Sequence, residues 1–159
     1  MSEFTEAMAQ LAAGVSVITV RDERDDIGTT VTTFASLSLE PPLVMVSIAA
    51  ESYVNEVLLR RDRWAATLLS AGQAAIASRF ASPGRPSARL LVAGTGHHRG
   101  PATEALIVEG GVAAVEAETT KVVPAGDHTL YIAALLGVDY VEASLSPLIR
   151  LRGRYRAAG

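Results

Sequence analysis

Six hydroxyl side chains lie close together in the stretch from residue 28 to residue 39. Because successive side chains of a strand alternate between its faces, one face could pack while the other offers hydroxyls and backbone N–H groups to a ligand. Threonine is also common in plain half-exposed edge strands, and the spacing alone favours that interpretation. Ligand binding is the alternative interpretation for this set: Thr29, Thr30, Thr32, Thr33, Ser36 and Ser38.

A second candidate site lies where a helix is predicted to start. The apolar run Leu43–Ile48 predicts a strand buried on both faces, after Pro41 and Pro42 have ended the preceding strand. Ser52 then precedes a helical apolar pattern and is predicted to cap that helix. The unpaired N–H groups of such a helix start could bind a phosphate, although the local sequence favours a plain cap.

The titratable side chains give weaker signals. The adjacent His97 and His98 have no carboxylate or cysteine within several residues, so no metal site is predicted there. Glu116 and Glu118 share one face of a predicted strand and could serve acid–base chemistry, but a solvated face is the favoured interpretation. His128 directly follows a predicted turn, and on its own it is interpreted as a turn histidine bonded to the backbone.

The elements that must position these residues are mostly short strands. An amphipathic helix is predicted over Phe4–Ala13, ended by Gly14, and a solvated, charged hairpin loop over Arg21–Asp26. A capping box at Ser70 and Gln73 predicts a second helix start. That helix would bury Ile76 and Phe80 and end near Ser82. Strands are predicted over residues 15–20, 29–39, 43–48, 64–69, 112–123, 129–141 and 147–155.

Many short strands with only two or three helices favour a mainly β fold, a closed or partly closed antiparallel β-barrel with flanking helices. The 159 residues, 49% of them hydrophobic, predict a single domain over residues 1–159.

The charge and composition exclude several classes of protein. A net charge of −3 argues against nucleic-acid binding. The absence of cysteine excludes disulfides, thiolate metal sites and cysteine nucleophiles. No basic leader and no apolar run of about 20 residues are found, so a cytoplasmic protein without a membrane partner is expected.

Several separated segments together resemble the flavin reductase-like domain of the FMN-binding split-barrel superfamily. They are Met8–Thr19 (MAQLAAGVSVIT), Thr32–Leu43 (TTFASLSLEPPL) and Gly126–Leu130 (GDHTL), which is followed by Arg152–Tyr155 (RGRY). Ser70–Ala81 also matches in kind and position. The resemblance covers nearly the whole chain, and the order and spacing of the segments make it specific.

The resemblance implies a homodimeric, Greek-key antiparallel split barrel that binds FMN or FAD. It also implies hydride transfer from nicotinamide C4 of NADH or NADPH to flavin N5, which would supply reduced flavin to a separate monooxygenase. Since the two cofactors perform this chemistry themselves, the protein must stack them and stabilise the charge that develops at flavin N1 and O2.

The resemblance also assigns site residues. The isoalloxazine and ribityl chain would lie against Thr32, Thr33, Phe34, Ala35, Ser36 and Ser38. The phosphate side would lie against Ser52 and Tyr53, with Ser82 near the same end. The nicotinamide nucleotide would approach the catalytic residue His128 and the segment of Arg152, Gly153 and Arg154.

Two departures from the family pattern leave questions open. The loop Ala49–Glu51 stands where many relatives carry a basic residue, so the sequence does not choose between FMN and FAD. The segment Arg85–Pro101 matches less well than its flanks. The alternatives are a split-barrel flavin oxidase or reductase with another substrate, similar to pyridoxamine phosphate oxidase, and a non-catalytic flavin-binding module.

Overall fold

The structure, a computed structural model, describes residues 2–159. Its helices are α1 (Glu3–Met8), α2 (Tyr53–Arg60), α3 (Ala74–Ala81) and α4 (Ala88–Leu91), with a 3₁₀ turn at Ala71–Gln73. The first six strands are β1 (Ala13–Gly14), β2 (Ser16–Asp22), β3 (Asp25–Val31), β4 (Ala35–Leu39), β5 (Pro42–Ala49) and β6 (Arg63–Leu68). The other six are β7 (His97–Arg99), β8 (Leu106–Val108), β9 (Ala113–Ala125), β10 (His128–Val141), β11 (Leu148–Leu151) and β12 (Arg154–Ala157).

Seven antiparallel strands form one sheet in the order β3-β2-β6-β9-β10-β5-β4. A flat sheet of that width would separate its two edges by about 29 Å. The edge strands β3 and β4 are joined by Thr32–Phe34 alone, and four Cα–Cα steps span at most about 14 Å. The sheet must therefore curl into a barrel that is split between β3 and β4. The predicted mainly β fold, an antiparallel barrel with flanking helices, is confirmed.

The barrel interior is an apolar core that α2 closes. Phe34 packs edge-to-face against the buried Trp64, with ring centroids 6.2 Å apart and an interplanar angle of 87°. This contact fixes the short link between β3 and β4 to the core. The buried members of the core include Ile18, Val20, Val46, Ile48, Val54, Val57, Leu58, Trp64, Ala66 and Tyr131.

A second apolar cluster lies outside the barrel, between β2 and α3. Val17 of β2 packs there, while its neighbour Ile18 faces the interior, so β2 is buried on both faces. The predicted burial of Ile76 and Phe80 on α3 is confirmed. A Cβ at Gly28 would lie 2.6 Å from the Phe80 ring, and glycine therefore allows β3 to approach α3 this closely.

Several predicted boundaries were wrong. Helix α1 ends at Met8 and not at Ala13, because none of its residues is buried and no packing extends it. The predicted strand over residues 29–39 is interrupted at the link Thr32–Phe34. In β5, Val46 and Ile48 are buried, while its other side chains are not. The final predicted strand is a hairpin that turns at Arg152 and Gly153, both with positive φ (51° and 74°).

The charged run Arg21–Asp26 forms a hairpin, as predicted, but the prediction that all of it is a solvated loop was wrong. The strands β2 and β3 continue through it, leaving only a tight turn at Glu23 and Arg24. Asp26 is 1% exposed, and the Arg99 guanidinium contacts both of its carboxylate oxygens at 2.7 and 2.9 Å. A charge of this chain is thus buried because a distant partner neutralises it.

The predicted solvation of Glu116 was also wrong, because Glu116 is 1% exposed. Its carboxylate accepts hydrogen bonds from the N–H and the hydroxyl of Thr103, at 2.7 and 2.5 Å. Glu118 pairs with Arg63 at 3.0 Å. Asp139 lies beside Glu116, and its buried Oδ2 has no hydrogen-bond partner within residues 2–159. Burial, reinforced by the Glu116 charge, raises the pKa of Asp139 to about 6.

No helix in residues 2–159 has the length and apolarity needed to cross a bilayer.

The raised pKa of Asp139 predicts a pH dependence of stability. The folded state holds the proton more tightly than the unfolded state, so the free energy of unfolding falls as pH rises from the usual aspartate range through about 6. Asp139→Asn, which is neutral and of similar shape, should remove this fall and be more stable than the unsubstituted chain above pH 6. Urea unfolding of both proteins across this pH range measures the free energy of unfolding. The exposed Glu51→Gln controls for net charge, and parallel curves for Asp139→Asn and the unsubstituted chain would contradict the prediction.

Candidate functional site

Three adjoining cavities form one groove along the split of the barrel. The central cleft, about 230 Å³, is lined by Thr29–Thr33 from one edge of the split, Ser47–Ala49 of β5, Ser52 and His128. It brings together several residues that the sequence analysis selected from distant segments. The split between the edge strands is thus the place where the predicted hydroxyl run, helix start and histidine meet.

The outer pocket adjoins the central cleft at Ser52. Its volume is about 330 Å³, and its walls include Gly28, Tyr53, Arg85 and Ser87. The hairpin pocket adjoins the cleft at its other end through Thr32 and Thr33. That pocket measures about 250 Å³ and is lined by Met8–Ala9, Leu11 and Ala13 of the N-terminal segment, together with Arg150, Arg152 and Gly153. The groove therefore has a polar middle and arginine side chains in both end pockets.

The link Thr32–Phe34 supplies hydrogen-bond donors to this groove. The Thr33 hydroxyl donates to the Ser47 carbonyl at 2.8 Å, and the Thr30 hydroxyl donates to the Ala77 carbonyl at 2.6 Å. The first bond attaches the link to β5, and the second attaches β3 to α3. Within residues 2–159, the backbone N–H groups of Thr32 and Thr33 and the Thr32 hydroxyl, all on the wall of the groove, donate to no acceptor. They are available to a ligand with ring acceptor atoms.

The start of α2 is held in a defined position. The Ser52 hydroxyl accepts from the Asn55 N–H at 3.2 Å, so the predicted cap is confirmed. The hydroxyl of the buried Tyr131 donates to Asn55 Oδ1 at 2.5 Å, and Asn55 Nδ2 donates to the Ala50 carbonyl at 3.0 Å. Burial raises the pKa of Tyr131 to about 12, so this hydroxyl remains a donor at neutral pH. The helix start therefore projects Ser52 and Tyr53 into the groove from a rigid base.

Arg85 is a site residue that the sequence analysis missed. Its Nε donates to the Gly28 carbonyl at 2.7 Å, and its Nη1 donates to the Ser82 carbonyl at 3.3 Å. Burial lowers the pKa of this guanidinium from its usual value, but an arginine remains cationic. Arg85 thus supplies a positive charge near Ser52, which the loop Ala49–Glu51 lacks. No local sequence pattern pointed to Arg85, because the partner that positions it, the Gly28 carbonyl, lies 57 residues away.

His128 lines the central cleft, and its ring is held by a side chain. Its Nδ1 lies 2.8 Å from the Asp127 carboxylate, whose pKa is lowered by this contact. The turn-histidine interpretation assumed a bond to the backbone, and the partner is a carboxylate instead. This leaves Nε2 as the ring nitrogen available to a ligand.

The other residues assigned by resemblance lie outside the walls of the groove. Phe34 packs into the core, and Ala35 begins β4. Ser36 and Ser38 lie on β4 on either side of an irregularity in its pairing with β5. Ser82 is exposed and donates to the Ser78 carbonyl, and Arg154 is exposed on β12. A direct contact of these side chains with a ligand stays a prediction.

Comparisons with known proteins agree with this geometry. The family model described as "Flavin reductase like domain" matches residues 8–159. The chain is 32% identical to the NADH-dependent FMN reductase AsuE2 of Streptomyces nodosus subsp. asukaensis, over 97% of this chain and 83% of that protein. It is 33% identical to the reductase component of 4-hydroxyphenylacetate 3-monooxygenase of Thermus thermophilus, over 96% of this chain and 93% of that protein.

A solved structure gives the same result for the fold. The crystal structure of BorF, the flavin reductase component of a bacterial two-component tryptophan halogenase, superposes with a TM-score of 0.90 at 27% identity, covering 97% of this chain and 95% of that one. The match of the family model over nearly the whole chain, together with these relatives, shows that the chain belongs to the flavin reductase-like domain family.

Proposed function

We propose that this chain is an NAD(P)H-dependent flavin reductase that binds FMN or FAD in the groove. The observation that carries the proposal is the set of unpaired donors of Thr32 and Thr33, placed in a cleft between two pockets that each contain arginine. A flavin held in this groove would supply the redox chemistry, which is hydride transfer from nicotinamide C4 to flavin N5.

The donors of the link fit an isoalloxazine ring. Such a ring carries acceptor atoms at N1 and O2, where negative charge develops during reduction. Backbone N–H groups held by the Phe34–Trp64 contact are preorganised donors for that charge, and they need no reorganisation during the reaction. The chain therefore needs no general acid or nucleophile of its own for this step.

The outer pocket fits the phosphate of the flavin. The start of α2 offers unpaired N–H groups and the positive end of a helix dipole beside Ser52. Arg85 lines the same pocket, and a guanidinium is a preferred partner of phosphate oxygens. The start of α2 and Arg85 together support the assignment of Ser52 and Tyr53 to the phosphate side.

His128 is proposed to bind the nicotinamide nucleotide. It lies on the wall of the central cleft with Nε2 free, and Asp127 fixes the orientation of its ring. A histidine held in this way can donate to a carboxamide or a ribose oxygen and so orient the hydride donor.

The partners are proposed from the relatives and from exposed apolar surface. The names of several relatives describe reductase components of monooxygenases, which supports delivery of reduced flavin to a separate oxygenase. A homodimer is proposed because Leu39, Val138 and Val141 are exposed, and β5 pairs with β10 only as far as Ala134. A single domain and a cytoplasmic location, where NADH is supplied, complete the proposal.

The proposed reaction is tested with the purified chain. NADH and NADPH are each mixed with FMN, FAD or riboflavin, and the loss of dihydronicotinamide absorbance is followed. We expect catalytic oxidation that depends on added flavin. A protein that binds flavin tightly but leaves both dihydronicotinamides unoxidised would favour an oxidase with another substrate or a non-catalytic flavin-binding module.

Arg85→Gln is expected to weaken FMN binding about tenfold, because a charge-assisted bond to phosphate is lost. Riboflavin, which has no phosphate, should bind the variant and the unsubstituted chain equally. Flavin fluorescence titration measures both affinities. Arg79→Gln, at an exposed arginine outside the groove, is the matched control. Equal losses for FMN and riboflavin would assign Arg85 a purely structural role.

His128→Ala is expected to raise KM for NADH about tenfold, since one hydrogen bond to the donor is lost, with an unchanged Kd for flavin. Steady-state kinetics and flavin titration separate the two effects. The exposed His97, which bonds the Thr95 carbonyl, provides the control variant His97→Ala. Wild-type KM and turnover in His128→Ala would remove His128 from the site.

A further inference from the structure

The loop that joins β5 to α2 is tied by hydrogen bonds to both of its neighbours in the groove. We propose that Asn55 and Tyr131 are positioning residues that hold the start of α2 and the turn before His128 in one arrangement. The inference rests on the proposed function and deepens it, because it makes one buried pair responsible for the flavin side and the nicotinamide side together. Both side chains lie behind the walls of the groove and act through the residues that line it.

The loop Ala49–Ser52 is not fixed by packing, because its first three residues are exposed. The Ala50 N–H donates to the Asp127 carbonyl at 2.9 Å, directly before His128. The Ala50 carbonyl accepts from Asn55 Nδ2 at 3.0 Å. The two polar main-chain groups of a single residue thus tie the loop to the histidine turn on one side and to α2 on the other.

The Asn55 amide is oriented from the opposite side by β10. Asn55 is 6% exposed, and the Tyr131 ring below it is fully buried. The Tyr131 hydroxyl donates to Asn55 Oδ1 at 2.5 Å, which leaves Nδ2 facing the Ala50 carbonyl that needs a donor. Tyr131 follows His128 by three residues on β10. The same strand therefore carries the histidine of the cleft and the hydroxyl that orients the amide.

These contacts close a ring behind the groove. It runs from the turn before His128 through Ala50 to Asn55. It returns through the Tyr131 hydroxyl and along β10. Ser52 belongs to the same ring, because its hydroxyl accepts from the Asn55 N–H at 3.2 Å. A displacement of Asn55 would therefore move Ser52 and the histidine turn together, and a shift of about 1 Å can cost about a hundredfold in rate.

The pair lies among apolar side chains. Tyr131 packs in the barrel core with Ile48, Val54 and Val57. A leucine in place of Asn55 and a phenylalanine in place of the tyrosine would fill a similar volume. Replacing both partners of a buried hydrogen bond by apolar groups of similar shape is often nearly neutral for stability. The core therefore does not need these polar groups for its packing, and their place behind the loop points to a role in positioning.

The test separates positioning from stability with three variants. Asn55→Leu removes both side-chain bonds of the amide, and the double variant Asn55→Leu/Tyr131→Phe makes the pair apolar. Tyr140→Phe is the matched control, because it removes another tyrosine hydroxyl of β10, which donates to the Val108 carbonyl at 2.6 Å outside the groove. Urea unfolding measures stability, fluorescence titration measures the Kd for FMN, and steady-state kinetics measures turnover at saturating NADH and FMN.

We expect Asn55→Leu to lower the urea midpoint, because it leaves the buried Tyr131 hydroxyl without its side-chain partner, and the double variant to recover most of that loss. In both variants, the Kd for FMN should rise about tenfold and turnover with NADH should fall about tenfold, since both sides of the groove are displaced. Tyr140→Phe should lower the urea midpoint and leave the Kd and turnover unchanged.

Two results would overturn the inference. If FMN affinity and turnover recovered together with stability in the double variant, the pair would serve the fold alone. If FMN binding weakened while the kinetics with NADH stayed those of the unsubstituted chain, the pair would not join the two sides of the groove. Failure of the proposed function is distinct, because the unsubstituted chain would then oxidise no dihydronicotinamide with any flavin.

Amide hydrogen exchange of the ligand-free protein gives a readout that needs no reaction. The Ala50 N–H should exchange about tenfold faster in the double variant than in the unsubstituted chain or in Tyr140→Phe. The Gly111 N–H, which donates to the Tyr140 hydroxyl at 3.1 Å, should exchange faster only in Tyr140→Phe. An Ala50 exchange rate that is the same in all of these proteins would overturn the claim that the buried pair holds the loop.

Discussion

The structure depends on one constraint: the edge strands β3 and β4 are joined by only three residues. A seven-stranded sheet can satisfy so short a link only by curling until its edges meet. The link cannot pair with either edge, so its N–H groups stay unpaired beside the split. Phe34 then fixes the link to Trp64, which makes those donors rigid. Barrel closure and the candidate flavin site are two results of the same geometry.

Positive charge is concentrated at the two ends of the groove. Arg85 is half-buried in the outer pocket, and Arg150 and Arg152 lie in the hairpin pocket. Elsewhere, as at Asp26 with Arg99, the chain balances its buried charge internally. The contrast separates arginines that stabilise the fold from arginines that are available to ligands. The protein itself contributes orientation and electrostatics, and the cofactors contribute the reaction.

The sequence predicted the features that local chemistry determines. The chain turns at Pro41 between two strands, Ser52 caps a helix, and the resemblance identified the family and the histidine of the cleft. The errors involve partners that are distant in the chain. Burial of Glu116 depends on Thr103, burial of Asp26 on Arg99, and the role of Arg85 on the Gly28 carbonyl, 57 residues away. No local pattern encodes such contacts, because they exist only once the barrel has closed.

The unpaired donors of the link belong to the main chain, and this has a consequence for divergence within the family. Recognition by peptide groups is insensitive to which side chains the link carries, provided that the aromatic anchor remains and no proline replaces a donor. Substitution can therefore accumulate around such a site without loss of the ligand. For the proposed flavin site, this predicts that relatives sharing about a quarter to a third of their residues with this chain keep the same architecture around it.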